Sequence, residues 1–168
     1  NITPDKETGI GDWTEEHIIT AITTGMRPDG RRLVPIMPWM ALAKLTKEWD
    51  EGTAACESRD LVVSHEAFGY LGQRFDFEQI GLSGLSPEAE PSPKRLAEVS
   101  DFVEQNDVTT IYFETLVDPK VAQTIAQETD VSTAALDPIE GLTDGSDDDY
   151  ISIMQANLKQ IVDGQRCA

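Results

Sequence analysis

The sequence predicts an α/β fold: a single open, mainly parallel sheet flanked by helices, preceded by a small, mostly helical N-terminal segment. Three observations carry this expectation. From Glu48 to Cys167, short apolar and β-branched runs alternate with stretches of helical periodicity. The connections between them are short, as in sheets whose parallel strands are joined by covering helices. A chain of 168 residues with 39% hydrophobic content is long enough for one such domain and a small appendage.

Residues 1–46 open with a polar loop, Thr3–Gly11, followed by an amphipathic helix. Asp12 can cap that helix, Glu15 stands at capping-box spacing, and Ile18, Ile19, Ile22 and Met26 form its apolar side. The turn Arg27-Pro28-Asp29-Gly30-Arg31 ends it. Near Leu45–Lys47 the vocabulary of the sequence changes abruptly. No Gly/Ser linker marks the seam, which favours packed pieces over two tethered domains.

Beyond the seam, Glu48–Cys56 reads as a short helix and Asp60–Ser64 as a buried strand, with His65 where the strand ends. A helix over Glu66–Phe75 and a strand over Glu78–Leu82 follow. The Pro- and Ser-rich stretch from Ser83 to Pro93 is loop. Ser92 caps the next helix with Pro93 at its first position, and Leu96, Val99, Phe102 and Val103 make its apolar stripe. Thr109–Phe113 is a strand ending at Glu114, Asp118–Thr129 a helix, Val131–Leu136 a strand ending at Asp137, and Asp148–Asp163 the last helix. Tyr150, Ile153, Met154, Leu158 and Ile161 form the inner face of that helix. In an open parallel sheet the carboxyl ends of the strands line one edge, where ligands bind, so His65, Glu114 and Asp137 are candidates to converge there.

The 31 acidic against 13 basic residues give a formal charge of −18. Such a surface repels nucleic acid and anionic lipid and favours cations, so no nucleic-acid partner is expected. No apolar run reaches the roughly 18 residues of a membrane span, and the first residues lack the basic and apolar regions of a signal peptide. An exported protein would therefore have its leader absent from this chain. The two cysteines, Cys56 and Cys167, exclude a CxxC pair. An even count suits one disulfide in an oxidising compartment, whereas a reducing one would leave two buried thiols. A bridge closing so long a loop contributes on the order of 4 kcal/mol in the chain-entropy account.

The strings Val62-Val63-Ser64-His65-Glu66-Ala67-Phe68-Gly69-Tyr70-Leu71, Gly84-Leu85-Ser86-Pro87-Glu88-Ala89-Glu90-Pro91-Ser92-Pro93 and Asp137-Pro138-Ile139-Glu140-Gly141-Leu142-Thr143 resemble the zinc- and manganese-binding solute-binding proteins of ABC transporters. The resemblance spans residues 47–168 and concerns only the C-terminal lobe of that family. It implies that His65 takes the place of the lobe's histidine ligand and Asp137 that of its carboxylate ligand. It also implies a Cys56–Cys167 disulfide, as in zinc-binding members. A closed zinc site wants four N, O or S ligands, and this lobe offers two. Glu114 is a candidate third ligand if its side chain turns inward; a strand-end carboxylate otherwise caps a helix or faces water.

The run Asn1-Ile2-Thr3-Pro4-Asp5, Thr8-Gly9-Ile10-Gly11-Asp12-Trp13-Thr14, Gly25-Met26-Arg27-Pro28-Asp29-Gly30-Arg31 and Pro35-Ile36-Met37-Pro38-Trp39 is similar to the later half of class I c-type cytochromes. That resemblance implies Met37 as a haem-ligand candidate, but the CxxCH attachment sequence is missing, so covalent haem is excluded. His17, beside Glu15 and Glu16, reads as a solvated helix residue rather than a second haem ligand.

Three functions are weighed. The first is divalent metal binding, zinc first and manganese second, as part of an exported, periplasmic or extracellular solute-binding protein with half of the ligand set present. Water, a second copy of the chain in a homo-oligomer, or another polypeptide would then complete the site, and an ABC permease would be the partner of the whole binding protein. The second is a fragment of a c-type cytochrome that transfers electrons. The third is a recombined or designed chimera without activity. An enzyme is not expected: Ser64 is adjacent to His65 in sequence, but consecutive strand side chains point to opposite faces.

Overall fold

Four strands, β1 (Asp60–Val63), β2 (Glu78–Gly81), β3 (Thr110–Glu114) and β4 (Ser132–Leu136), form one sheet in the order β2-β1-β3-β4, with every neighbouring pair parallel. The expected open parallel sheet is thus observed. Among the described residues six helices accompany it in this computed structural model: α1 (Glu15–Thr24), α2 (Trp39–Gly52), α3 (Gly69–Phe75), α4 (Pro93–Gln105), α5 (Lys120–Glu128) and α6 (Tyr150–Gly164). The structure describes residues 2–34, 38–86, 90–115, 118–141 and 145–168. Met37 and the segment Pro87–Ala89 lie outside the described residues. Among the described residues no helix is long and apolar enough to cross a membrane.

Contacts group the chain into two units, residues 1–48 and 49–168. In the first, α1 is capped by Thr14 rather than by Asp12. The Thr14 hydroxyl accepts from the His17 N–H at 3.2 Å, and His17 Nδ1 accepts the Thr14 N–H at 3.3 Å, so a histidine closes the capping box where Glu15 was expected. Gly25 ends the helix in the left-handed region at φ 71°. Ile19, expected on the apolar side, is exposed. The helix expected over Glu48–Cys56 begins nine residues earlier, at Trp39, and ends at Gly52. It runs unbroken through the seam, because Leu42, Leu45 and Trp49 recur at helical spacing and the last two are buried.

In the second unit, the core lies between the sheet and α4 and α5. Val62 and Ile111 from the central strands meet Val99 and Val103 of α4 and Ala122 and Ile125 of α5. Ser92 caps α4 as expected, accepting from the Arg95 N–H at 3.2 Å, with Pro93 at its start. Trp49 stacks on Phe75 at 4.9 Å between ring centroids and donates its indole N–H to the Met154 carbonyl at 3.2 Å. Tyr150, expected on the inner face of α6, is half exposed; the buried positions of that helix are Ile153, Asn157 and Ile161. Cys56 and Cys167 are joined in a disulfide at a sequence separation of 111. The bridge lies before β1 and after α6, at the opposite end of the sheet from His65 and Glu114.

Candidate metal centre

The strand order reverses between β1 and β3. From β1 the chain crosses by α3 to β2 on one side, and from β3 it crosses by α5 to β4 on the other. Such a reversal leaves a crevice at the carboxyl ends of the two central strands, the usual ligand position in open α/β sheets. Val63 is in register with Tyr112, so His65 and Glu114, each two residues further along, stand side by side with the same parity. Their contact is direct: His65 Nδ1 meets Glu114 Oε1. Both residues are sealed from solvent, at 2% and 3% exposure. Glu114, expected inward only on condition, is therefore inward.

With Nδ1 engaged, His65 has one ring nitrogen left. Its Nε2 faces Glu140 Oε1 at 3.8 Å, and Glu140 is more than half exposed. Burial pushes the Glu114 carboxyl above the ordinary range, and the nearby charges of Glu140 and Asp137 add to that, while the bond to His65 draws it back. Four groups thus share one electrostatic neighbourhood at the strand ends.

Asp137 arrives differently. Glu114 pairs with Leu136, so Asp137 lies one step beyond that register and its side chain takes the other parity. Its Oδ2 accepts from the Thr115 hydroxyl at 3.1 Å, and its Oδ1 accepts the Ile139 N–H at 2.7 Å. Asn157 of α6 grips the Asp137 backbone on both sides: the Asp137 N–H donates to Asn157 Oδ1 at 2.9 Å, and Asn157 Nδ2 donates to the Asp137 carbonyl at 2.7 Å. Ile139 has φ 62°, a left-handed conformation that a β-branched residue adopts only under constraint. The Asp137 hydrogen bond supplies that constraint, and Glu140 follows the turn. A surface pocket of about 300 Å³ adjoins this loop, with Phe68, Leu71, Asp137, Ile139 and Asn157 in its wall.

Sequence reading missed Glu140 and Asn157. Glu140 stood inside a quoted motif, but nothing in the sequence signals the left-handed residue before it. Asn157 carried a signal, a polar residue one turn from Ile153 and Ile161 on an apolar face. Among the described residues, no group of three or more His, Cys, Asp or Glu side chains is gathered closely enough to enclose a metal ion. The arrangement offers one imidazole nitrogen and one carboxylate facing each other, backed by a second carboxylate.

The family described as zinc-uptake complex component A, periplasmic (ZnuA), matches residues 40–164. The zinc-binding lipoprotein AdcA of Streptococcus pneumoniae is 39% identical over 123 residues, covering 71% of this chain and 25% of that protein. The high-affinity zinc uptake system protein ZnuA of Bacillus subtilis is 35% identical over 125 residues, covering 73% of this chain and 39% of that one. Among solved structures, the laminin-binding protein Lbp of Streptococcus pyogenes superposes with a TM-score of 0.69 at 37% identity, over 76% of this chain and 50% of that one. The Zn(II)-bound ZnuA-like domain of Streptococcus pneumoniae AdcA does so with a TM-score of 0.62 at 38% identity, over 74% and 48%. The chain therefore spans between a quarter and half of the length of these relatives. The family match leaves residues 1–39 outside it, and the cytochrome-like resemblance there rests on the sequence alone. With that match over residues 40–164, three quarters of the sequence, the chain belongs to the ZnuA family of zinc-uptake complex components.

Proposed function

We propose that this chain binds a divalent cation, zinc before manganese, as part of the solute-binding protein of an ABC transporter. The observation that carries this reading is the Nε2 of His65, facing the Glu140 carboxylate across 3.8 Å at the strand reversal. Zinc bonds of about 2.0–2.2 Å in tetrahedral array hold two ligand atoms about 3.3 Å apart, so a shift of about half an ångström brings the pair to ligand distance. The relatives described as zinc-binding support the choice of metal.

The ligand pair in this reading is His65 and Glu140. Asp137, the carboxylate implied by the resemblance, has Oδ1 engaged by the turn at Ile139 and Oδ2 by the Thr115 hydroxyl, and its role is to hold that turn and add negative charge. Two ligands do not close a zinc site, and the remainder comes from water, a second copy of the chain, or the further length that the relatives possess. Both proposed ligands lie within residues 47–168. The working compartment is periplasmic or extracellular, consistent with the family's description and with the disulfide. The partner of the complete protein is an ABC permease, and the role is transport rather than catalysis.

Calorimetric titration with zinc tests the reading. Wild type should release heat at one site per chain, and His65→Ala should abolish it; equal heats from the two would sink the proposal. Glu140→Gln and Asp137→Asn, titrated side by side, assign the carboxylate, with the larger loss expected at Glu140.

A further inference from the structure

We propose that Glu114 is a positioning residue for metal capture: its carboxylate accepts the Nδ1–H of His65 and thereby fixes the tautomer whose Nε2 lone pair is bare. This inference rests on the reading of His65 as a ligand. A neutral imidazole carries one N–H, and a metal binds only the nitrogen without it. If the proton sat on Nε2, the ring would point a donor at the incoming cation. With its Oε1 against Nδ1, an ionised Glu114 accepts the proton there and disfavours that alternative.

The geometry suits this task better than direct ligation. Glu114 reaches the far side of the ring from Glu140, so one carboxylate holds the imidazole and the other faces its free nitrogen. Glu114 closes β3 and His65 stands two residues past β1, where the Ser64 N–H still donates to the Tyr112 carbonyl at 2.9 Å, and both are buried, so ring and carboxylate are held side by side by the pairing of the central strands. A carboxylate sealed to 3% exposure is costly to the fold, and an apolar residue at a strand end would pack without that cost. A carboxylate behind a ligating histidine, however, orients the ring and raises its basicity, and loss of such a partner weakens metal affinity by about 10–100-fold.

His17 provides an internal contrast. Its Nδ1 accepts the Thr14 N–H, which requires the proton on Nε2. The two histidines of this chain are thus expected in opposite tautomers. Long-range nitrogen–proton correlation spectra of the metal-free protein, recorded at about pH 8, above the ordinary histidine range, read both rings directly. The expected result is Nδ1–H for His65 and Nε2–H for His17 in wild type, with His65 losing its Nδ1–H preference in Glu114→Gln and Glu114→Leu. Zinc affinity of Glu114→Gln should fall by about 10–100-fold. At saturating cobalt(II), its visible absorption bands should match those of wild type, because the ligand set is unchanged.

An Nε2–H His65 in wild type would overturn the inference whatever the zinc data say. So would unchanged zinc affinity in Glu114→Gln beside a changed tautomer, with ligation by His65 left standing. A shifted cobalt spectrum would make Glu114 a ligand instead. Failure of the functional reading itself has a different signature: His65→Ala would bind zinc as wild type does, while the tautomer in wild type stayed Nδ1–H.

Discussion

Asp60 and Glu78 face each other at the first register position of β1 and β2, two carboxylates on adjacent parallel strands. Partial burial pushes the Asp60 carboxyl up, and the Glu78 charge adds to the effect. A raised folded-state value means that the folded state holds the proton more tightly. The associated stability is fully present below the ordinary value of 3.8 and is lost as pH rises through the raised value. Urea unfolding across that window should therefore show the stability of wild type falling relative to that of Asp60→Asn as pH rises; parallel curves for the two would refute the assignment. At this same scale His65 was legible in the sequence, because a histidine closing an apolar β-branched run must sit at a strand end. Glu114 was legible as a position and not as a partner, since its pairing with His65 depends on the β1–β3 register between residues nearly fifty apart. Glu140 was not legible at all, because the turn that aims it depends on a left-handed Ile139 held by a side-chain hydrogen bond.

At the scale of elements, α6 ties the site to the rest of the sheet through Asn157. That side chain closes two hydrogen bonds on the Asp137 backbone from a buried position, so Asn157→Ala strands both groups and should cost about 2–4 kcal/mol, read by chemical denaturation. Asn157→Asp keeps the acceptor and loses the donor, and should weaken zinc binding as well by loosening the Glu140 turn. The end of the same helix carries a steric prediction. Gly-to-Ala exchange in a helix ordinarily stabilises by about 1 kcal/mol. A Cβ on Gly164 would collide with the Tyr112 hydroxyl and press on Thr110, so Gly164→Ala should lower the melting temperature instead. Helix cores were readable from spacing alone, as Val99 and Val103 illustrate, but ends only where one cap had no rival, as at Ser92 before Pro93. Asp12 and Thr14 are both competent caps, and the winner was decided by His17 completing the box. The sequence seam falls inside a helix, because Leu42, Leu45 and Trp49 sustain α2 across it, although the contacts divide the chain close by, between Glu48 and Trp49.

At the scale of the whole molecule, two features act at opposite ends of the sheet. The Cys56–Cys167 bridge closes a loop of 111 residues on the side where the strands begin, and the chain-entropy account assigns such a closure about 4–5 kcal/mol. Reduction should lower the unfolding midpoint accordingly and leave zinc affinity unchanged, since His65 and Glu140 lie where the strands end. The affinity itself follows from ligand number. Complete structural zinc sites in small peptides are worth about 10–16 kcal/mol at neutral pH, and this chain offers two ligands of the usual four. Half of that range corresponds to a Kd between about 1 μM and 0.2 mM. Competition with chelators of graded strength should find zinc within those bounds for the isolated chain, and about tenfold or more tighter if copies associate to share the ion. In that case the affinity should rise with protein concentration, and sedimentation should show the larger species only with zinc present. A Kd in the nanomolar range that does not change on dilution would refute this ligand count.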